Sequence, residues 1–454
     1  MPNCLSTLFP ARWRRCSTRR TGVQIAKPSN SRVETTVAPM EKTLNSIAKG
    51  RTDLPPAYTA ALGSSTLCDD TFRKTVDDAI AKANDKLRAL NLDIHDHPEV
   101  MWKEKHAHDV LTKFMDDQGG WKVTRHYLGF DTAWRAEWSS GNGGRVIGVN
   151  SEMDALPGIG HACGHNLIAT AGVAVAVAVR VAMEKHGLPG KVILLGTPAE
   201  EGGAGKVALL EKGGYDEMDV CVMSHPGPGD AKAAIVGPTL AIQTVDVEYK
   251  GHTAHAGAAP WQGTNALDAA VLAYNAVSVL RQQIKPDHRI HGIIEGRDWA
   301  PNIIPDYAKM QWLVRAPTGD EVIALRKRLI NCLEAAALAT ACTPTIEVGV
   351  LVRDLKNNFT MGMSKRRSGA ASTASTDFGN ITYALPSIHP GYAIPTTPDG
   401  GNHTVGFTKA ARTQEAHDRT LAVSSALALT CLRVLTDDDF SAQVKDEFEQ
   451  SRSI

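Results

Sequence analysis

Three short apolar runs along the chain share one pattern: RVIGVNSEMD (residues 145–154), KVILLGTPAEE (191–201) and VCVMSHP (220–226). Each is rich in Val, Ile and Leu without polar alternation, as in a strand buried on both faces of a parallel sheet, and each empties into acids or a histidine. Helical patterns lie between them: residues 167–185, apolar on every side, and residues 206–212, closed by Gly213 and Gly214. Strand alternating with helix predicts an α/β sheet, and ligands in such sheets bind beyond the carboxyl ends of the strands. Reactive residues are therefore expected to converge there.

After about Pro238 the texture changes. LAIQTVDVEYKG reads as a strand, residues 265–284 as a long helix, RIHGIIEG and YAKMQWLVRA as two strands, residues 321–341 as a helix and TIEVGVLV as a last strand. This βαββαβ order predicts a small, self-contained ferredoxin-like unit inserted into the larger domain. From about Arg353 the chain resumes with a loop and SIHPGYAI, then an Ala-rich helix over residues 413–435. The predicted fold is a two-domain α/β protein. Its larger α/β/α domain is built from residues 65–238 and 353–454, and its inserted lid domain from residues 239–352.

A chain of 454 residues exceeds one simple core, which agrees with that division. Lys plus Arg equals Asp plus Glu at 49 each, so net charge offers no case for nucleic acid or an anionic membrane. Small neutral or zwitterionic ligands suit it better. The eight cysteines are scattered, with no CxxC pair, which predicts a reducing, cytoplasmic setting. LIATAGVAVAVAV (167–179) stops at Arg180, short of the roughly 20 residues that span a bilayer, and reads as a buried helix. Residues 1–40 are Arg-rich with Glu34 as their one acid, the bias of a mitochondrial transit peptide or of a disordered extension.

Chemistry concentrates in SEMDALPGIGHACGH (151–165). In HACGH, Cys163 and His165 are separated by one glycine that lets both side chains reach one point, and thiolate and imidazole both bind Zn²⁺. A nucleophilic thiol and a packed turn are the competing readings. Glu200 and Glu201 in PAEE, His225 in MSHP and His403 in GGNH can complete a ligand set from strand ends. Each alone is an ordinary surface or turn residue; their convergence on predicted strand ends favours a site. One carboxylate of the Glu pair can bind metal while the other moves a proton from water to a leaving amine.

SEMDALPGIGHACGHN, GTPAEEGGAGK, MSHPGP, GHTAHAGAAPWQGTNALDA, PNIIPDYAKMQWLVRAP, STDFGNITYALPSIHPGYAI and GGNHTVGF together resemble the di-zinc aminoacylase and zinc carboxypeptidase amidohydrolases. The resemblance is strongest to the branch of aminoacylase-1-like dipeptidases and amino-acid-conjugate hydrolases. It runs over nearly all of the chain after about residue 65 and supports the inserted domain. It implies Cys163, His165, Glu201, His225 and His403 as ligands of two divalent ions, Zn²⁺ or else Mn²⁺ or Co²⁺. It further implies Glu200 as general base and acid, and Asp154 as an outer aspartate that orients a ligand. From the lid, it implies His255 as a histidine that reaches a partner subunit's site in a homodimer, and Asn302 and Arg315 as contacts for the substrate's carboxylate. His161 reads as structural. The implied reaction is hydrolysis of the amide bond in dipeptides or N-acyl amino acids. The alternatives are an amidohydrolase of similar kind in biosynthesis, or a catalytically impaired homologue that binds without turnover. Between Asn358 and Ser375 the chain is shorter than the resemblance implies and lacks a helix expected before STDFGN.

Overall fold

The computed structural model describes residues 70–232, 234–362 and 374–452. Residues 1–40, and residues 363–373 of the shortened loop before STDFGN, lie outside the described residues.

The larger sheet contains β1 (Lys122–Arg125), β2 (Trp134–Ser139), β3 (Val146–Glu152), β4 (Lys191–Thr197), β5 (Val220–Val222) and β12 (Ser387–Ile388). Its six strands lie in the order β1–β2–β4–β3–β5–β12. The three apolar runs form the parallel centre, with β3 between β4 and β5. β12 continues it in parallel, while β2 runs antiparallel to β4 and to β1 at the other edge. Successive side chains leave a strand on opposite faces. Val192, Leu194, Val220 and Val222 accordingly join one core, and Ile193, Leu195, Cys221 and Met223 another.

The first core is closed by α1 (Asp70–Asp96), α3 (His165–His186) and α9 (Gln414–Thr436). α3 is the predicted apolar helix, buried continuously from His165 to Val179. It and α9 are long and apolar enough to cross a membrane by length and composition, and both are mostly buried inside the protein. Gly172 lets α3 sit directly on β3, since a Cβ there would stand 2.2 Å from Ser151 Oγ. The second core is closed by α4 (Gly205–Glu211) and α7 (Phe378–Ala384), which completes the α/β/α layering.

Residues 241–348 build a separate sheet from β8 (Ala241–Lys250), β9 (Arg289–Gly296), β10 (Tyr307–Ala316) and β11 (Thr343–Val348), and α5 (Ala266–Leu280) and α6 (Gly319–Thr340) cover one face. The four strands are antiparallel in the order β11–β8–β10–β9. Alternate residues of β8 and β10 (Val245, Val247, Tyr249, Met310, Trp312, Val314) point into a core shared with Leu325, Leu329 and Leu333 of α6. Both helices begin at side-chain caps: Asn265 accepts from the Leu267 and Asp268 N–H groups, and Thr318 from Glu321 N–H. The βαββαβ order is as predicted. α5 ends earlier than expected, passing into a tight turn at Arg281–Gln283. β11 stops at Val348, and the pairing resumes as a single bridge between Val352 and Ile242.

The sequence pattern did not announce α1, α2 (Lys105–Asp117), β1 or β2, nor a third small sheet of β6 (His225–Pro228), β13 (Gly391–Ile394) and β7 (Ala234–Ile235). That small sheet matters because it opens with His225.

Candidate active site and metal centre

The site lies beyond the carboxyl ends of β3, β4 and β5, as the strand pattern predicts. β3 ends at Glu152, and Asp154 follows in the turn that leads to HACGH. Gly164, at φ +83°, precedes the first residue of α3, and a Cβ there would stand 2.6 Å from Pro226. Only glycine fits that left-handed, crowded position, so Cys163 and His165 can converge across it. β4 ends at Thr197 and delivers Glu200 and Glu201, and His225 follows β5. His403 arrives from the loop before α8 (Val405–Ala411), anchored by its N–H donating to Ala162 O at 2.8 Å.

Three overlapping triads bring these residues together: Cys163–His165–His225, Cys163–Glu201–His403 and His165–Glu200–Glu201, each with its ligand atoms within 4.8 Å of one another. All five expected ligands and Glu200 thus share one pocket. His403 closes it at 3.4 Å from Glu201 Oε2. Asp154 Oδ1 accepts from His165 Nδ1 at 3.1 Å, and its Oδ2 accepts the Glu201 N–H at 2.9 Å. One aspartate therefore sets both a ring orientation and the loop that carries the Glu pair. His165 Nε2 is left facing carboxylate oxygens of Glu152 at 3.4 Å, Glu200 at 3.8 Å and Glu201 at 3.9 Å. His225 Nδ1 donates to Pro226 O at 2.7 Å, which leaves its Nε2 turned to Cys163 Sγ at 3.3 Å.

The electrostatics are those of a pocket built around positive charge. Burial, reinforced by Glu152 and Asp377, pushes the Glu200 carboxyl well above the usual range. Burial pulls the His165 pKa down, but Asp154 and Glu152 outweigh it and lift it well above its ordinary value. Burial pushes the Cys163 thiol up to about 12. A nucleophilic cysteine needs the opposite shift, so the thiol-hydrolase reading loses its support. His165 Nε2, Glu201 Oε1 and Glu152 Oε2 are buried polar atoms with no hydrogen-bond partner. Such atoms are costly unless something binds them, and a thiolate, imidazole and carboxylate set matches a divalent transition ion. The residues fit the implied metals.

The lid residues stand apart from this cluster. His255 is exposed, its Nδ1 accepting the N–H groups of Gly257 and Ala258. Asn302 is also exposed, its backbone carbonyl accepting from Ala256. Arg315 reaches toward the site: it donates to Ser375 Oγ at 3.2 Å and its charge acts on His403. His161 is buried with Nε2 3.1 Å from Ile94 O, and burial pushes its pKa down to about 3, a structural histidine as expected.

Sequence reasoning missed several contributors. Glu104, fully buried, accepts from the N–H groups of Ala199 and Trp102 (both 2.9 Å) and from the Thr132 hydroxyl (2.8 Å). Ala199 and Trp102 both hold positive φ, so Glu104 fixes the strained backbone just ahead of Glu200. His389 lies with its ring 5.9 Å from that of His225, and burial pushes its pKa down to about 3. Glu152, Lys206 and Asp377 form the floor of the pocket. Their motifs were visible, but an acid at a strand end or a lysine starting a helix is ordinary until its neighbours are known.

Residues 241–341 match the peptidase dimerisation domain. The chain is 41% identical over 413 residues to an Xaa-Arg dipeptidase of Mus musculus, covering 85% of this chain and 94% of that protein. The chain belongs to the M20 family of metal-dependent peptidases and amidohydrolases. A human Xaa-Arg dipeptidase is also 41% identical, covering 82% of this chain and 91% of that protein. One component of an Escherichia coli p-aminobenzoyl-glutamate hydrolase is 33% identical, with 59% of this chain and 58% of that protein covered. The fold is that of a Staphylococcus aureus aminohydrolase (TM-score 0.63, 18% identity, 80% of this chain and 100% of that one). It is likewise that of a dinuclear metal-binding M20 peptidase from Bacillus subtilis (TM-score 0.56, 18% identity, 81% and 99%).

Proposed function

We propose that this M20 enzyme is a two-zinc dipeptidase that hydrolyses the amide bond of dipeptides, including those with a basic C-terminal residue, and of N-acyl amino acids. The observation that carries the reading is the convergence of Cys163, His165, Glu201, His225 and His403 around unpartnered buried atoms, with Glu200 beside them. These five residues would hold the two ions. When bound, the metals would polarise the scissile carbonyl and acidify water at neutral pH.

Glu200 takes the proton of the attacking water and passes it to the departing amine. Its position on the Ala199 turn, held by Glu104, sets its carboxyl within 4.8 Å of the His165 and Glu201 ligand atoms. Asp154 holds His165 and the Glu201 backbone in register. Arg315, next to Ser375 and His403, is placed to bind a substrate carboxylate. His255 acts in the site of a second copy, with the lid sheet as the dimer contact; the match to a peptidase dimerisation domain over residues 241–341 supports this.

Glu200→Gln is the test. With metal content measured beside turnover, the expected outcome is full metal loading and a kcat lower by on the order of a hundred- to ten-thousand-fold. A variant that retains parental kcat overturns the assignment. A panel of dipeptides and N-acyl amino acids, assayed with Zn²⁺, Mn²⁺ or Co²⁺, identifies substrate and metal.

A further inference from the structure

Lys206 is the one lysine fully buried among the described residues, with no exposed surface. It opens α4, just past the loop that carries Glu200 and Glu201. Its Nζ lies 2.6 Å from Glu152 Oε1 and 2.6 Å from Asp377 Oδ1, and its own N–H donates to Asp377 Oδ2 at 2.9 Å. Oxygens of Glu152, Glu200 and Asp377 lie within 4.8 Å of one another, and the ammonium pairs with two of these carboxylates, Glu152 and Asp377.

Stability does not account for this arrangement, because apolar replacements for buried ion pairs are often neutral or stabilising. Orientation does. With Oε1 of Glu152 held by the lysine, Oε2 faces His165 Nε2 at 3.4 Å, and neither Oε2 nor Nε2 has a hydrogen-bond partner. Asp377, gripping both nitrogens of Lys206, ties the start of α4 to the residue that precedes α7. The end of β3, the acid loop and the STD loop are thereby joined at one point beneath the pocket.

We propose that Lys206 and Asp377 are positioning residues that aim the Glu152 carboxylate into the metal pocket and hold it against the side that carries Glu200. Neither touches substrate; both act through Glu152. The proposal rests on the hydrolase reading for its kinetic arm and on the protein alone for its binding arm.

The test compares Lys206→Met, Asp377→Asn and the double variant by Tm, by Zn²⁺ affinity of the metal-stripped protein in competition with a chelating dye, and by kcat and KM. Lys206→Met leaves two buried carboxylates without their cation, and Asp377→Asn removes one of the two acceptors that fix the ammonium; each is expected to lower Tm and weaken Zn²⁺ binding by about 10- to 100-fold. The double variant removes one charge of each sign, so Tm is expected to return toward the parent's. Zn²⁺ affinity and kcat are expected to stay low, with KM within about twofold, because Glu152 has still lost its anchor. Recovery of Zn²⁺ affinity and kcat together with Tm shows a merely structural pair and overturns the proposal, as does Lys206→Met with parental affinity. If the parent enzyme turns over no substrate in the panel, the functional reading fails, while the dye competition still decides the role of Lys206.

Discussion

The inner face of the lid sheet and the floor of the metal pocket are both buried, and they are built on opposite rules. In the lid, β8 and β10 alternate strictly, and apart from Gln243 the inward residues are apolar, with Val245, Val247 and Tyr249 opposite Trp312, Met310 and Ala308. In the pocket, Glu152, Asp154, His165 and Lys206 are as inaccessible as those valines, yet each is polar, and Glu152 Oε2 and His165 Nε2 have no hydrogen-bond partner. The lid core is stabilised by removing apolar area from water, a contribution that needs only the right pattern and volume. The pocket gains little of that kind. Its residues hold together through pairing in a low dielectric, which makes it poised for ligands and intolerant of losing one partner.

Substitutions that harm one region and spare the other sharpen this contrast. The largest effect is expected for Trp312→Ala in the lid core. Truncating this buried indole is expected to cost about 3–5 kcal/mol of stability, read from urea unfolding, while the folded fraction binds the same number of metal ions. Loss of metal from that fraction breaks the separation of lid and pocket.

A pH effect of somewhat smaller size is expected away from both regions. His417 on α9 is buried between Asn91 and Asn84, at 3.3 and 3.1 Å. Burial, helped by the Arg88 charge, pushes its pKa down to about 4 from an ordinary 6.5. The unfolded chain then binds a proton between those values that the folded chain does not. The stabilisation is therefore complete above about pH 6.5 and is lost as pH falls toward 4, by roughly 3 kcal/mol in all. His417→Gln is expected to flatten the dependence of the urea midpoint over that window. An unchanged slope shows that other groups carry it.

The smallest effect concerns an outer contact of the pocket. Asp154→Asn keeps shape but weakens the support of both His165 and the Glu201 N–H. The expected loss is about 10- to 100-fold in Zn²⁺ affinity, about 1.4–2.7 kcal/mol, with little change in Tm of the metal-free protein. A loss of stability of the size expected for Trp312→Ala would place Asp154 with the lid-type core residues instead.

Much of the fold was legible because it follows from local periodicity. The parallel strands β3, β4 and β5, the apolar helix α3 and the βαββαβ order of the lid can each be read from a window of residues. The candidate metal cluster was legible in a different way: the motifs named Cys163, His165, Glu200, Glu201, His225 and His403, and strand ends were the place to look. Glu104, Lys206, Asp377 and His389 were not legible as contributors. Lys206 sits 54 positions from Glu152 and 171 from Asp377, and no local pattern ties residues so far apart. His255 and Asn302 stayed outside the cluster of their own chain.

By itself the sequence determined the central parallel strands, the apolar helix α3 and the βαββαβ insert, and which side chains are the candidates for metal binding. The tertiary structure decided how those side chains face one another. It set Asp154 to serve two partners, Glu104 to hold a strained turn, and one buried lysine to pair with two carboxylates. The physical reason is that periodic burial is a property of neighbours in sequence, whereas charge pairing in a low dielectric depends on distances set only when the chain has folded.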